Sequence, residues 1–303
     1  MNHALGAAAG LVADLVLGEP PASVHPVAGF GRVMQAVEER WYADGRPRGA
    51  AHALAGLAIG AVSGRAVRST TVATWSAVAG RDLRRVATEI GDALQRDDLD
   101  GARRLVPSLV GRDPSRLDEG DIARAVVESV AENTVDAVVA PALWAALAGA
   151  PGALAHRAVN TMDAMVGHHS DRYERYGWAA ARLDDVAAWV PARVTVGLVA
   201  ACRPSAARRV VDTARRDGPA HPSPNGGLVE AAFAAALDLR LGGTNRYGDR
   251  VEVRPPLGSG RSPEASDIAG AVRLSRDVTV AVAGLLAVAG LARRRSSRPA
   301  RRS

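Results

Sequence analysis

The chain has 303 residues, a formal net charge of +6, and 48% hydrophobic but only 4% aromatic residues. That is ample for a large core, and it favours closely packed helices over a β-sandwich. A single cysteine, Cys202, excludes an internal disulfide and any multi-cysteine zinc or iron–sulfur centre. All 38 basic residues are arginine, so a lysine-bearing phosphate loop and a lysine Schiff base to pyridoxal phosphate are excluded too.

Much of the positive excess lies in the tail from Arg293 to Arg302, beside an apolar segment. It reads as a cytoplasmic flank attracted to anionic lipid, and no nucleic-acid partner is expected. Basic residues elsewhere mingle with carboxylates and form no aromatic-studded stripe.

In chain order, the apolar stretch Ala4–Leu17, interrupted by Asp14, comes first. No basic n-region precedes it, so a cleaved secretory signal is not expected. LGEPP at 17–21 forces a turn, His25-Pro26 follows, and a helix is predicted near Gly29–Trp41. A second apolar hairpin covers roughly 50–80. Helices of alternating charge are predicted over Arg81–Asp97 and Asp121–Val135, with GRDPSRLDEGD between them as a loop offering Asp118 or Asp121 as N-cap.

The run Ala137–Ala155 approaches the roughly 20 apolar residues of a membrane span, but it contains Pro141, Gly149 and Pro151-Gly152. Two further helices bracket GHHSDRYERYG at 167–177, the second carrying Val186–Cys202 with Pro191 and Arg193 inside it. HPSPNGG at 221–227 opens a short helix, Glu230–Leu239. LGGTNRYGDRVEVRPPLGSG at 241–260 reads as an irregular loop. Val278–Ala292 closes the series and is short for a full crossing. Hydropathy alone does not decide whether these segments enter a membrane. Without repeats or a clear linker, the reading is one helical domain over 1–292 and an Arg-rich disordered tail at 293–303.

Four polar clusters stand out. Glu128, Glu132 and Asp136, with Asn133, recur every four residues and would share one helix face. Hard oxygen ligands there suit Mg²⁺ with phosphate and water completing the shell. A solvated face with Arg124 pairing Glu128 explains the same spacing. Asn160, Asp163, His168, His169, Arg172 and Tyr173 form the second cluster, whose His and Arg donors suit a phosphate or carboxylate. The third is Trp178, Arg182, Asp184, Asp185, Trp189 and Arg193, and a helix-end ion network accounts for it equally well. In the fourth, His221, Ser223, Asn225 and Glu230, the prolines hold HPSPN extended. Dinucleotide fingerprints fail at 29–31 and 258–260, which lack the third glycine.

Taken in order, LGEPP with HPV (17–27), ESVAEN with Asp136 (128–136), NTMDAMVGHH…RYERYGWAAARLDDVAAWVPAR (160–193), HPSPNGG…EAA (221–232) and LGG…Y.G (241–248) resemble one family closely. The chain is similar to adenosylcobinamide-phosphate synthase, the CobD/CbiB family of cobalamin biosynthesis, from about residue 4 to 292. Ala137, Ala188 and Gly227–Val229 depart from residues common in that family.

The resemblance implies an all-α, multi-pass membrane helical bundle whose polar loops form a substrate cleft, set in the cell membrane with a cytoplasmic C-terminus. It implies ATP-dependent amide formation between a carboxylate of adenosylcobyric acid and aminopropanol or its phosphate, near other cobalamin-pathway enzymes. On that reading Glu128, Glu132 and Asp136 hold Mg²⁺ and nucleotide phosphate. Asp184, Asp185, His168 and Arg182 are the catalytic candidates. His25, Asn160, Asp163, Arg172, Tyr173, Arg193, His221, Ser223 and Asn225 bind substrate or phosphate. The competing reading is a non-enzymatic, AmpE-like membrane sensory protein. Threonine-phosphate decarboxylase, which shares the CobD name, needs a lysine that this chain lacks.

Overall fold

The computed structural model describes residues 2–20, 25–111, 113–168, 170–247 and 250–296. Pro21–Val24 of the 18–27 loop, His169 of the second cluster and the tail beyond Ser296 lie outside the described residues. Twelve α-helices are described: α1 His3–Leu17, α2 Pro26–Trp41, α3 Arg46–Val67, α4 Thr70–Ala77, α5 Gly80–Gln95, α6 Leu99–Leu105, α7 Glu119–Thr134, α8 Ala140–Met162, α9 Trp178–Cys202, α10 Ala207–Asp217, α11 Gly226–Leu237 and α12 Ala265–Ser296. The fold is all-α, and its segments Arg46–Val67, Glu119–Gly167, Trp178–Cys202 and Ala265–Ser296 are long and apolar enough to cross a membrane. The chain is a multi-pass membrane protein. Its backbone gathers into two compact units, one of residues 1–79, 136–188 and 282–303, the other of 80–135 and 189–281.

In the first unit, α3 lies against α8 along a stripe of Gly56, Gly60 and Gly64. A Cβ at these positions would meet Met162, the Leu154 carbonyl and the Pro151 backbone in turn. Small residues four apart let two helix backbones approach closely where lipid supplies no hydrophobic drive. Met34, Ala53, Val159, Met162, Val166 and Tyr176 fill the core beside this contact. Helix starts are capped as the sequence allows: Asn2 accepts from Ala4 N–H at 3.1 Å, and His25 accepts from Val27 N–H at 3.3 Å with Pro26 opening α2.

The apolar run 137–155, which approaches span length in the sequence, lies within the longer candidate span Glu119–Gly167, and that segment is interrupted twice. A π-turn occupies Val135–Val139, just before Pro141. Proline has no N–H to give the carbonyl four residues earlier, and that carbonyl, on Ala137, accepts from Ala79 N–H at 3.0 Å. The second break is Gly149, at φ 69°, two residues before Pro151.

In the second unit, Ile90, Ile122, Val126, Phe233, Leu239, Leu241, Ile268 and Leu274 are buried. Polar side chains join its helices: Thr134 Oγ1 donates to Ser275 Oγ at 2.8 Å, and Arg84 donates to Thr279 Oγ1 at 3.2 Å. Asp118 caps α7 by accepting from Asp121 N–H at 2.8 Å. Three features differ from the sequence expectation. Helices α6 and α10 have no counterpart in it. The stretch read as an irregular loop forms an antiparallel hairpin, β1 Leu241–Tyr247 with β2 Arg250–Leu257, pairing Gly243 with Arg254 and Thr244 with Val253. Alternation in Val251-Glu252-Val253-Arg254 carries the strand signal, and the flanking Gly and Pro residues hid it.

Candidate functional site

The second unit brings together six of the residues singled out from the sequence: Glu128, Glu132, Arg193, His221, Ser223 and Asn225. The HPSPN turn leads into α11, and Ser223 organises it. Its Oγ accepts from Gly226 N–H at 3.0 Å, and its own N–H lies 3.1 Å from His221 Nδ1. Asn225 is buried, and its Oδ1 accepts from Arg193 Nη1 at 2.8 Å. Arg193 also donates to the Trp189 carbonyl at 3.0 Å and stacks over the Trp189 ring at 4.4 Å. Glu132 reaches the same turn from α7. A Cβ placed on Gly226 would sit 3.3 Å from both Glu132 Oε1 and Ser223 Oγ. Glycine there keeps the space between carboxylate and turn open.

Beneath the turn lies a buried charge group. His221 Nε2 is 3.6 Å from Glu230 Oε1 and 3.2 Å from Arg254 Nη1. Burial first, then the Arg254 guanidinium, holds the His221 imidazole below the ordinary histidine range. Glu230 is 1% exposed. Glu230 belongs to the fourth sequence cluster but not to the expected site set, and Arg254 was missed because its strand was read as loop.

Glu128 has a different occupation from Glu132. Its Oε1 accepts from Gly242 N–H at 2.8 Å, while Arg124 Nη1 donates to the Gly242 carbonyl at 2.6 Å and lies 3.8 Å from Glu128 Oε1. Arg124 Nη2 further donates to Asp121 Oδ1 at 2.8 Å and to the Thr244 carbonyl at 3.0 Å. This pair fastens β1 to α7, so the helix-face pairing of Arg124 with Glu128 is present, but buried rather than solvated.

Asp136 is the second residue of the π-turn Val135–Val139, where the regular four-residue spacing ends. The charge of Asp136 is felt by Arg157 of α8, which also feels Glu19, and the His156 ring lies by the Asp136 backbone. Glu19 Oε2 is 3.0 Å from His25 Nε2, which places His25 in the LGEPP–HPV turn of the first unit. Among the described residues, no three His, Cys, Asp or Glu side chains converge as a metal-holding group. Mg²⁺ commonly takes only one or two protein carboxylates beside substrate phosphates and water. Glu132 fits that requirement, as a carboxylate partly open at a turn of oxygen and amide groups.

The remaining candidates lie in the first unit. Asn160 Nδ2 donates to Asp184 Oδ1 at 3.4 Å, and Asp184 is buried. Arg182 and Asp185 form an i,i+3 pair at 3.4 Å, with Arg182 largely exposed. Asp163 begins a second π-turn, Asp163–Gly167.

His168 meets Tyr173 edge to face at 5.0 Å. Arg172 and Tyr173 converge on Glu38 of α2. Arg172 Nη2 lies 3.0 Å from Glu38 Oε1, the Tyr173 hydroxyl donates to the same oxygen at 2.9 Å, and Arg172 stacks on Tyr42 at 4.0 Å. Burial and Glu38 push the Tyr173 phenol up, and Tyr176 beside it is raised to about 12, mainly by burial. No sequence cluster contained Glu38, because its partners are more than 130 positions away in the chain.

A family model described as CobD/Cbib protein matches residues 7–275. "Cobalamin biosynthesis protein CobD" of Mycobacterium tuberculosis is 50% identical, with 97% of each chain covered. The proteins of that name from Rhodobacter capsulatus and Geobacter metallireducens are each 40% identical. They cover 96% and 86% of this chain, and 98% and 88% of their own. No solved structure matches. With both the family model and these relatives spanning nearly its whole length, the chain belongs to the CobD/Cbib family of cobalamin biosynthesis proteins.

Proposed function

We propose that the protein is an adenosylcobinamide-phosphate synthase. It would join a carboxylate of adenosylcobyric acid to the amine of aminopropanol or its phosphate, with ATP as the activating co-substrate. The observation that carries this reading is the turn at 221–226. There Glu132, Ser223, Asn225 and Arg193 meet beside the buried His221 and Glu230 and the half-buried Arg254. Amide formation by this route needs anion donors and a carboxylate at one place, and this turn supplies both.

In the proposed sequence, a carboxylate oxygen of the corrinoid attacks the terminal phosphorus of ATP, giving an acyl phosphate and ADP. The amine nitrogen then attacks the acyl carbon, the C–O bond to phosphate breaks, and the nitrogen loses a proton to a base. Mg²⁺ would screen the phosphate oxygens. Glu132 is assigned to hold it, with Glu128 fixing the hairpin behind. Arg193, locked by Asn225 and Trp189, would stabilise charge on the transferring phosphoryl group. A carboxylate or imidazole base must take the amine proton; Asp184, Asp185 and His168 of the first unit remain the candidates named from the sequence, each to be tested on its own. The polar loops 18–27 and 221–248 are each candidates for contact with the corrinoid. The protein would lie in the cell membrane, with Arg293–Arg295 at the end of α12 holding the C-terminus in the cytoplasm.

The test is direct. Purified full-length protein in detergent is given adenosylcobyric acid, Mg²⁺, ATP and either amine, and the amide product is followed by mass. Product with at least one amine is expected. Its absence with both sinks the enzyme reading and returns the chain to a non-catalytic role.

A further inference from the structure

Outside the turn described above, the second unit carries a pocket of about 490 Å³ lined by Arg203, Arg273, Arg276, Asp277, Val280 and Ala281. Three guanidiniums face one carboxylate there. Arg203 Nη1 pairs with Asp277 Oδ2 at 2.8 Å, which binds the end of α9 to α12. Arg203 directly follows Cys202, the last residue of a candidate membrane span. Asp277 directly precedes the apolar run Val278–Ala292. The ion pair therefore sets the polar end of one span beside the polar start of another, and Arg273 and Arg276 stand at that border.

The pocket also has an apolar continuation. Along α12, Arg273, Arg276, Val280, Gly284, Val288 and Leu291 are all exposed. Their spacings of three or four residues keep them on one helix face. Val280 is 53% exposed, Val288 67% and Leu291 52%. From Val280 to Leu291 the stripe runs about 16 Å at 1.5 Å per residue, a length that an acyl chain can follow. A free phosphate would use the arginines and leave this stripe bare. A lipid with an anionic headgroup uses both.

We propose that the Arg203–Arg273–Arg276 pocket binds the headgroup of an anionic phospholipid, with an acyl chain lying along the Val280–Leu291 stripe of α12. The proposal stands apart from the catalytic reading. Guanidinium groups pair with phosphate oxygens through parallel N–H donors, and the pocket lies at the end of the α12 apolar run opposite Arg293–Arg295, so with that tail in the cytoplasm the lipid comes from the leaflet facing away from it.

The experiment reconstitutes full-length protein in nanodiscs of equal phosphatidylglycerol and phosphatidylcholine, then releases it and counts retained lipids by native mass spectrometry. Wild type is expected to retain phosphatidylglycerol about tenfold over phosphatidylcholine. Arg273→Gln with Arg276→Gln should bring the ratio near one. Arg208→Gln with Arg215→Gln, which removes the same charge from α10, should leave it unchanged. Val280→Ser, which alters no charge, should lower the number of retained lipids about threefold without changing the headgroup ratio, and serves if the double variant does not fold; unchanged retention would overturn the acyl-chain contact. Equal loss in the α10 control would overturn the proposal in favour of net charge alone. Loss of the preference on adding millimolar inorganic phosphate would overturn it in favour of a soluble anion site.

Discussion

The HPSPN turn of the second unit and the GHHSDRYERYG loop of the first carry the same kinds of residue, His, Arg, Ser and an amide or phenol. The sequence suggests phosphate binding for both. Tertiary structure separates them. Around the turn, His221, Asn225 and Glu230 are buried, and Arg193 is locked by Asn225 and Trp189, so several chain segments fix the donors. In the loop, Arg172 remains half exposed and spends its guanidinium on one carboxylate, Glu38, with Tyr42 and Tyr173 as stacking partners. Preorganised polar groups of low exposure suit transition-state stabilisation, whereas an exposed clamp suits the joining of a loop to a helix.

The largest effect should come from Glu132→Gln. It keeps the shape and removes the charge, and kcat is expected to fall by about 100-fold or more, with thermal stability and membrane insertion retained. Turnover within a few-fold of wild type would remove Glu132 from the site. Next in size is Glu128→Ala. It strips a buried partner from Arg124 and from Gly242 N–H, and should cost about 3 kcal/mol, read as a lower unfolding midpoint and faster hydrogen exchange in β1. An unchanged midpoint would mean that the hairpin does not depend on this fastening.

The third prediction concerns pH. His221 has a depressed pKa in the folded state, so protons bind preferentially to the unfolded chain. The stability contributed by its neutral form is fully present above about pH 6.5 and is lost as pH falls toward the depressed value. Unfolding midpoints measured downward from pH 7.5 should drop more steeply for wild type than for His221→Asn, and parallel curves would show that another group titrates. The smallest effect is assigned to Arg172→Ala. The pair is largely exposed on the arginine side, and Tyr173 still donates to Glu38, so the unfolding midpoint should barely move, with kcat/KM unchanged within a few-fold. A hundredfold loss of kcat/KM for the phosphorylated amine alone would break the contrast and place the loop at the substrate.

Much of the fold is legible in the sequence because its signals are local. The first apolar run ends at Gly18, HPSPN leads into α11, and α1, α2, α5, α7 and α11 begin or end within a few residues of the expected limits. The misses share a cause. The π-turn at Val135 arises where Pro141 frees the Ala137 carbonyl and Ala79 captures it, a partnership between distant positions. The hairpin exists because Arg124 and Glu128 hold Gly242, 114 or more positions away.

The sequence by itself determined the helical class, the family, the absence of lysine, of an internal disulfide and of multi-cysteine centres, and the identity of the polar motifs. These follow from composition, periodicity and ordered strings along the chain. Only the tertiary structure decided which of those motifs share a place. It put Glu132 beside the 221–226 turn, gave Glu128 to the hairpin, left Asp136 with His156 and Arg157, and set Arg172 against Glu38. A carboxylate's role depends on its solvation and its nearest donors, and residues remote in sequence fix both.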